Sequence, residues 1–232
     1  MQGIDSYTKL LLHCDGNDQS TTFTDSATGK AITAVNQAKI VTAQKVFGTG
    51  SALFDGTADY LTALDSADWN FGAGAFTIDF RVRFNAVNAV QSFFIQRADA
   101  THRTEFIFYK SGANIDCIGV YSIDGATTII SDFASLAFAP NVNTWYHIAL
   151  IRTGNVFKAF VAGSQVGGDI AVTGTFPDIA AGIEIGDRSA NPAGFNGWFD
   201  EYRVSKGIAR WTANFTPPTS QYNKARGFLL FL

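Results

Sequence analysis

The stretch "FTIDFRVRF" (residues 76–84) alternates apolar and polar side chains at every position. Its apolar members are Phe76, Ile78, Phe80, Val82 and Phe84, and its polar members are Thr77, Asp79, Arg81 and Arg83. A period of two places one kind of side chain on each face of an extended strand. We therefore predict a half-buried β-strand over these nine residues.

A second signal, "WYHIALIRTGNVFKAFVAG", predicts a β-hairpin. Its arms run from Trp145 to Arg152 and from Val156 to Val161, with a turn at residues 153–155. Further strand-like runs, separated by Gly, Asn, Asp and Ser, are 7–13, 51–54, 59–63, 92–97, 104–110, 117–123, 183–186 and 198–204. Helical patterning is limited to single turns at 66–69, with Ser66 as N-cap, and at 206–211. More than ten short strands of this kind predict an all-β sandwich or barrel.

The composition is that of one large globular domain. Hydrophobic residues make up 47% of the 232 residues, and 21 of them are Phe, which is enough to build a sizeable core. Cys14 and Cys117 lie far apart in no metal-type spacing, so we expect buried free thiols. The formal net charge is −3 with no run of like charges, which argues against nucleic acid as a partner. Neither a signal peptide nor a membrane-spanning helix is predicted, so no membrane partner is expected.

Four separated blocks resemble the laminin G-like domains of the concanavalin A-like lectin/glucanase superfamily, in the version found in bacteriophage virion proteins. They are "LLLHCDGNDQSTTFTDSATGK", "FGTGSALFDGTADYLTALDSADWNFGAGAFTIDFRVRF", "WYHIALIRTGNVFKAFVAG" and "GWFDEYRVSKGIARWTANFTPPT". The resemblance implies an antiparallel jelly-roll sandwich of two sheets over residues 1–223. Residues 224–232 would then be an apolar C-terminal tail, which adds a strand either to the home sheet or to a neighbouring subunit.

The glucanase branch of this superfamily is catalytic and carries acids on one strand in an E-x-D-x-E pattern. A retaining glycosidase needs two carboxyl groups about 5 Å apart. Glu184 and Asp187 are three residues apart, so a strand would point them to opposite faces. Asp79 shares its face with Arg81 and Arg83 and has no second acid there. We therefore expect no catalytic residues and no enzymatic activity.

The segment "WFDEYRV" (198–204) raises the question of a metal. Regular alternation would place Trp198, Asp200, Tyr202 and Val204 on one face, where a buried carboxylate needs a backbone cap, a basic side chain or a metal as partner. The resemblance implies that the first and last strands are neighbours, which would bring Asp15 near Asp200. Asp15, Asp25 and Asp200 are therefore candidate ligands for a structural Ca²⁺. Asx-type turns at Asp15 and Asp25 are the alternative that needs no metal.

The following segment "SKGIARWTANFTPPT" is interpreted as a clasp that places Ile208 and Trp211 against the sandwich. It ends on Pro217-Pro218, which cannot continue a hydrogen-bonded ladder.

Two classes of function follow from the resemblance. The first is a structural part of a virion, either a head decoration protein or a tail-associated part, assembled in the host cytoplasm. Its partners would be the major capsid or tail protein, and it would form a homo-oligomer, for which a trimer is one symmetry. The second is a lectin-like adhesin for cell-surface glycans, and a glycoside hydrolase is the least favoured reading. Candidate sugar-binding residues by type are Trp145, Tyr121, Tyr109, Asn114, Asp116, and Asp187 with Arg188.

Overall fold

The computed structural model describes residues 3–87, 90–111, 115–189 and 193–223. These residues form one short 3₁₀ helix, Ala67–Trp69, and fifteen β-strands. The strands are β1 (Thr8–Leu12), β2 (Thr33–Val35), β3 (Lys39–Val41), β4 (Ser51–Asp55), β5 (Tyr60–Ala63), β6 (Phe76–Phe84), β7 (Gln91–Arg97), β8 (His102–Ser111), β9 (Ile115–Asp124), β10 (Thr127–Asp132), β11 (Trp145–Thr153), β12 (Val156–Val161), β13 (Ser164–Ala171), β14 (Ile183–Ile185) and β15 (Asn196–Lys206).

The strands form two antiparallel sheets that pack face to face as a sandwich, which confirms the predicted fold class. The eight-stranded sheet has the order β13-β12-β11-β6-β15-β4-β3, and β1 pairs with the second half of β15. The seven-stranded sheet has the order β10-β9-β8-β7-β14-β5-β2. The first and last strands are therefore neighbours, as the resemblance implied.

The core between the sheets is built mainly from phenylalanine. Phe76, Ile78, Phe80, Val82 and Phe84 of β6 are all fully buried there, as their alternation predicts. Phe80 packs edge-on against Phe199 at 5.3 Å and stacks on Tyr202 at 5.2 Å between ring centroids. Such edge-on and stacked arrangements suit the ring quadrupoles and add to the hydrophobic burial.

The regular alternation predicted for residues 198–204 is wrong. The pairing of β15 with β6 shifts register between Asp200 and Arg203, and Glu201 has a left-handed backbone with φ of 50°. A bulge of this kind inserts an extra residue and changes which side chains share a face. As a result Phe199, Tyr202 and Val204 point into the core, whereas Asp200 and Arg203 lie on the outer face.

Residues 207–223, which we call the C-terminal strap, cross the outer face of the eight-stranded sheet. Trp211 of the strap forms a second, smaller core with Ala149, Ile151 and Phe160 on that face. The clasp predicted from the sequence is confirmed for Trp211, which is only 8% exposed. The single helical turn predicted at 206–211 is wrong, because the backbone N–H groups of Gly207 and Arg210 bond to the Ala75 carbonyl and the Thr77 hydroxyl rather than within the segment.

The strap also changes the environment of β6. Asp79, whose place beside Arg81 and Arg83 suits either a solvated strand or ion pairs, is fully buried beneath the strap. It accepts hydrogen bonds from Arg203 Nε at 2.8 Å and from the Tyr222 hydroxyl at 2.5 Å. His147 Nε2 lies 3.4 Å from the same carboxylate. Burial alone would raise the pKa of Asp79, but the charge of Arg203 and the contact with His147 hold it well below its usual range. The strap therefore covers a closed ionic network as well as an apolar patch.

The single turn predicted at residues 66–69 is confirmed as the 3₁₀ helix, with the Ser66 hydroxyl accepting from the Asp68 N–H. Cys14 and Cys117 are buried free thiols, as predicted. No helix in the described part of the chain has the length and apolar character needed to cross a membrane. The tail of residues 224–232 lies outside the described residues, so its predicted role stays a prediction.

Candidate ligand-binding site

A cleft of about 220 Å³ opens on the outer face of the seven-stranded sheet. Its lining residues are Val90, Arg103, Glu105, Ile107, Tyr109, Tyr121, Phe133 and Arg188. Along β8, Phe106 and Phe108 enter the core, so the alternate residues of that strand point outward into the cleft. The register pairs Glu105 with Tyr121 of β9, which places both side chains on the same face.

One wall of the cleft is aromatic. After β10 the Asp132 carboxylate accepts the N–H groups of Ala134 and Ser135, a turn that brings Phe133 back over the sheet. The Phe133 ring lies over Gly119, where a Cβ atom would come within 2.7 Å of it. Only a residue without a side chain leaves room for this ring.

The Phe133 ring lies 5.3 Å from that of Tyr109 and 6.1 Å from that of Tyr121. The Cys117 thiol donates a hydrogen bond to the Phe133 carbonyl at 2.7 Å. Burial, with smaller contributions from Asp132 and Asp116, raises the pKa of Cys117 to about 11, so the thiol keeps its proton at neutral pH. The three rings are half-buried, which leaves part of each surface open to the cleft.

The floor of the cleft is ionic. The Glu105 carboxylate accepts hydrogen bonds from Arg97 at 2.9 Å, Arg103 at 3.2 Å and Arg188 at 2.8 Å. The Glu105 side chain is only 4% exposed, whereas that of Arg103 is 23% exposed. The Arg103 guanidinium also lies over the Tyr121 ring, 4.5 Å from its centroid. Aromatic surface and positive charge therefore meet at one place.

The loop after β14 positions Arg188. Asp187 is fully buried, and its Oδ1 accepts the N–H groups of Arg188 and Ala193, each at 2.6 Å. Glu184 of β14 accepts from the N–H and the hydroxyl of Ser189, at 3.0 Å and 2.5 Å. These carboxylates fix the loop that carries Arg188 to the rim of the cleft.

Three of the residues proposed from the sequence as sugar ligands, Tyr109, Tyr121 and Arg188, meet in this cleft. Asp187 lies behind it as a positioning residue, and Asp116 pairs with Lys110. Trp145 lies on the other sheet, where it pairs with Arg83. Asn114 lies outside the described residues.

Sequence reasoning missed Arg103, Glu105 and Phe133. The alternation of "RTEFIFY" (103–109) carried the signal for the first two, since it places Arg103, Glu105 and Tyr109 on one face. Phe133 could not be placed, because its position depends on the turn after β10 and on the space above Gly119.

The proposed calcium ligands have other partners in the structure. The Asp25 carboxylate accepts from the N–H groups of Leu11, Ala27, Thr28 and Lys30 and from the Thr28 hydroxyl. These bonds, the first from the backbone of Leu11, hold the pKa of Asp25 below its usual value against the effect of burial. Among the described residues, no group of three or more His, Cys, Asp or Glu side chains is placed to hold a metal ion. A Ca²⁺ bound by Asp15, Asp25 and Asp200 stays a prediction.

Asp15 and Asp200 are linked through one loop. Asp200 Oδ2 accepts the N–H groups of Val46 at 2.7 Å and Phe47 at 3.1 Å, and Asp15 Oδ1 accepts the N–H and hydroxyl of Thr49. Asp200 Oδ1 is buried without a hydrogen-bond partner in the described part of the chain. Burial, assisted by the nearby charge of Glu201, raises the pKa of Asp200 to about 7. The backbone cap considered for Asp200 is therefore the partner that the structure shows.

The fold is similar to that of several solved structures. Domain 4 of AbnA, an extracellular GH43 arabinanase from Geobacillus stearothermophilus solved in complex with arabinotriose, has a TM-score of 0.64 at 15% identity, with 89% of this chain and 94% of that chain covered. The binding domain of Paraclostridial Mosquitocidal Protein 1 has a TM-score of 0.61 at 12% identity, with 88% and 50% covered. The binding domain of Botulinum neurotoxin DC in complex with SialylT also has a TM-score of 0.61, at 10% identity, with 88% and 50% covered. The chain thus spans about half the length of the two toxin domains.

No curated protein matches the chain in sequence. A family model of the laminin G type, described as the concanavalin A-like lectin/glucanases superfamily, matches residues 55–210.

Proposed function

Since the chain belongs to the laminin G-like family of the concanavalin A-like lectin/glucanase superfamily, we propose that it is a non-catalytic glycan-binding domain whose site is the cleft on the seven-stranded sheet. The observation that carries the proposal is the meeting of three aromatic rings, Tyr109, Tyr121 and Phe133, with hydrogen-bonding side chains in one concave place. Sugar rings present apolar C–H faces and polar edges, and a binding site for them needs both kinds of surface.

The size of the cleft supports a single sugar residue as the unit that is bound. Its volume of about 220 Å³ is below the roughly 300–1,000 Å³ of pockets that enclose drug-sized ligands. An open cleft of this size suits one residue of a longer glycan, with the neighbouring residues lying along the sheet. The similarity in fold to the AbnA domain, which was solved with arabinotriose, is consistent with this class of ligand.

The same cleft argues for binding without hydrolysis. Glycosidases of either stereochemistry use a pair of carboxyl groups that flank the scissile bond. Glu105 is the one carboxylate among the described residues that line the cleft, and both of its oxygens accept hydrogen bonds from arginine. These bonds favour a structural role for Glu105, which holds the arginines in place, over a role as a catalytic acid or base.

A glycan array followed by titration calorimetry tests the proposal. Replacing Tyr121 with alanine removes the ring that faces both Phe133 and Arg103, and we expect at least a tenfold loss of affinity for the best glycan. The matched control is Trp198→Ala, since Trp198 also lies under an arginine, Arg83, at 4.6 Å but on the other sheet. Equal affinities of the Tyr121→Ala variant and the parent protein would refute the cleft as the site.

We keep the virion setting as a further proposal, which the resemblance of the sequence blocks supports. In that setting the domain is a head decoration protein or a tail-associated part, and its glycan site faces outward from the particle. The predicted homo-oligomer and the predicted capsid or tail partners belong to this proposal. Cosedimentation with particles that lack the protein tests it: saturation at a fixed copy number supports the virion role, and pelleting only with host cells contradicts it.

A further inference from the structure

The charges of the cleft are unequal. Among the residues that line it, Arg103 and Arg188 are positive and Glu105 is negative, and Arg97 behind them bonds to the same carboxylate. Guanidinium groups keep their charge at all physiological pH values. Three positive charges against one negative charge leave an excess of two within this cluster.

The neighbouring carboxylates already have partners. Asp187 accepts backbone N–H groups through Oδ1, while its Oδ2 is buried without a hydrogen-bond partner among the described residues. Asp132 accepts the N–H groups of the turn that carries Phe133. Lys110 and Asp116 form a pair at 3.1 Å. None of these acids lines the cleft. The side chains that line the cleft therefore carry two positive charges and one negative charge.

Such a cluster is not explained by stability alone. Burying ions removes their hydration, and a buried ion pair often gives no more stability than an apolar replacement. In addition, the Nε atoms of Arg97 and Arg103 are buried without a hydrogen-bond partner among the described residues. Unsatisfied buried donors cost free energy, so these two atoms do not add to the stability of the fold.

The arrangement is also preorganised. Glu105 holds the three arginines from below, and the Tyr121 ring supports the Arg103 guanidinium from the side. A ligand then meets a positive charge whose position is already fixed, which lowers the entropic cost of binding.

We propose, on the basis of the glycan-binding function above, that the cleft selects a sugar residue that carries an oxyanion. The apolar face of the sugar packs on Tyr109, Tyr121 and Phe133, and its carboxylate or sulfate group accepts hydrogen bonds from Arg103, the most exposed of the three arginines. Arg188 at the rim adds a second positive charge. A neutral sugar makes the same contacts with the aromatic rings but lacks the charged hydrogen bond to Arg103, so it should bind more weakly.

The test compares two polymers that differ only in charge: polygalacturonate and its fully methyl-esterified form, titrated at physiological salt. A charge-assisted hydrogen bond contributes enough for about a 10- to 100-fold difference in affinity, so the acid should bind tighter than the ester by that factor. Arg103→Gln should remove this preference, so that the variant binds the acid no more tightly than it binds the ester. The matched control is Arg83→Gln, which removes an arginine from over the Trp198 ring and should change neither affinity.

A sulfated galactan forms the third arm and identifies the oxyanion. Tight, Arg103-dependent binding of the sulfated polymer without binding of polygalacturonate would support the proposal and assign sulfate. Equal binding of acid and ester, with loss of both in Tyr121→Ala, would overturn this inference and leave the glycan-binding function intact. An equal loss in Arg83→Gln and Arg103→Gln would reveal general charge attraction and overturn it as well. If no polymer binds and the glycan array is also empty, both proposals fail.

Discussion

Replacing Trp211 with alanine removes the largest side chain from the core between the C-terminal strap and the eight-stranded sheet. Trp211 is 8% exposed, stacks on Phe215 at 4.1 Å and meets the edge of the His147 ring at 5.6 Å. A buried aromatic side chain removes about 150–250 Å² from water, which at about 25 cal/mol per Å² corresponds to about 4–6 kcal/mol. Measured Trp→Ala substitutions in cores cost about 3–5 kcal/mol. We therefore expect the free energy of unfolding to fall by about 3–5 kcal/mol.

Urea denaturation followed by circular dichroism measures this loss directly, and a thermal scan should show a fall of roughly 6–20 °C for a domain of this size. The Trp211→Phe variant should recover part of the stability, because a phenyl ring can still stack on Phe215. The control is Trp198→Ala, which removes a half-exposed tryptophan from the same sheet and should cost less. A loss below about 1 kcal/mol for Trp211→Ala would refute the claim that the strap is an integral part of the fold.

Three further predictions concern single positions. Gly119→Ala places a methyl group within 2.7 Å of Phe133, so it should lower the free energy of unfolding by about 1–3 kcal/mol and weaken glycan binding. The control Gly168→Ala has open space around its Cβ and should change neither quantity in the same denaturation and binding experiments. Folding raises the pKa of Asp200 from 3.8 to about 7, so the stability that its protonated form contributes is full below pH 4 and is lost as the pH rises through 7. Asp200→Asn should flatten this pH dependence of the free energy of unfolding by at most about 4 kcal/mol in denaturation series from pH 4 to 8. An unchanged slope would contradict the assignment. If Asp15, Asp25 and Asp200 bind calcium, EDTA should lower the melting temperature and Asp200→Ala should reproduce the effect; no shift in either case removes the metal.

Local patterns in the sequence predicted most of the sandwich. The bounds of β6 and β12 were predicted at the residues where they occur, because their alternation is long and their flanking turns are clear. Strands β2, β3, β10 and β13 were not predicted. β13, for example, contains Gly167 and Gly168 and is largely exposed, so its sequence has no apolar periodicity. Within the sheet it pairs with β12 as an edge strand.

Features that depend on tertiary contacts could not be read locally. Asp200 was wrongly grouped with Tyr202 and Val204 because one bulge, at Glu201, reverses the alternation of the residues that follow. The sequence could not decide between solvent and an ion pair for Asp79, because its burial depends on the strap, which lies more than 120 residues later in the chain. The cleft was half predicted: its tyrosines were named by type, but Arg103, Glu105 and Phe133 are brought together only by the register of three strands and a turn.

The place of β15 in the eight-stranded sheet has a consequence for synthesis. This strand lies between β6 and β4 and also pairs with β1, yet it is the last of the described strands to be translated. A ribosome adds about 5–20 residues per second, so β6 emerges roughly 6–24 s before its neighbour in the sheet. During that interval β6 and β4 lack the strand that lies between them, and Phe80 of β6 lacks its ring partners Phe199 and Tyr202. The eight-stranded sheet can therefore close only after residues 196–206 have left the ribosome.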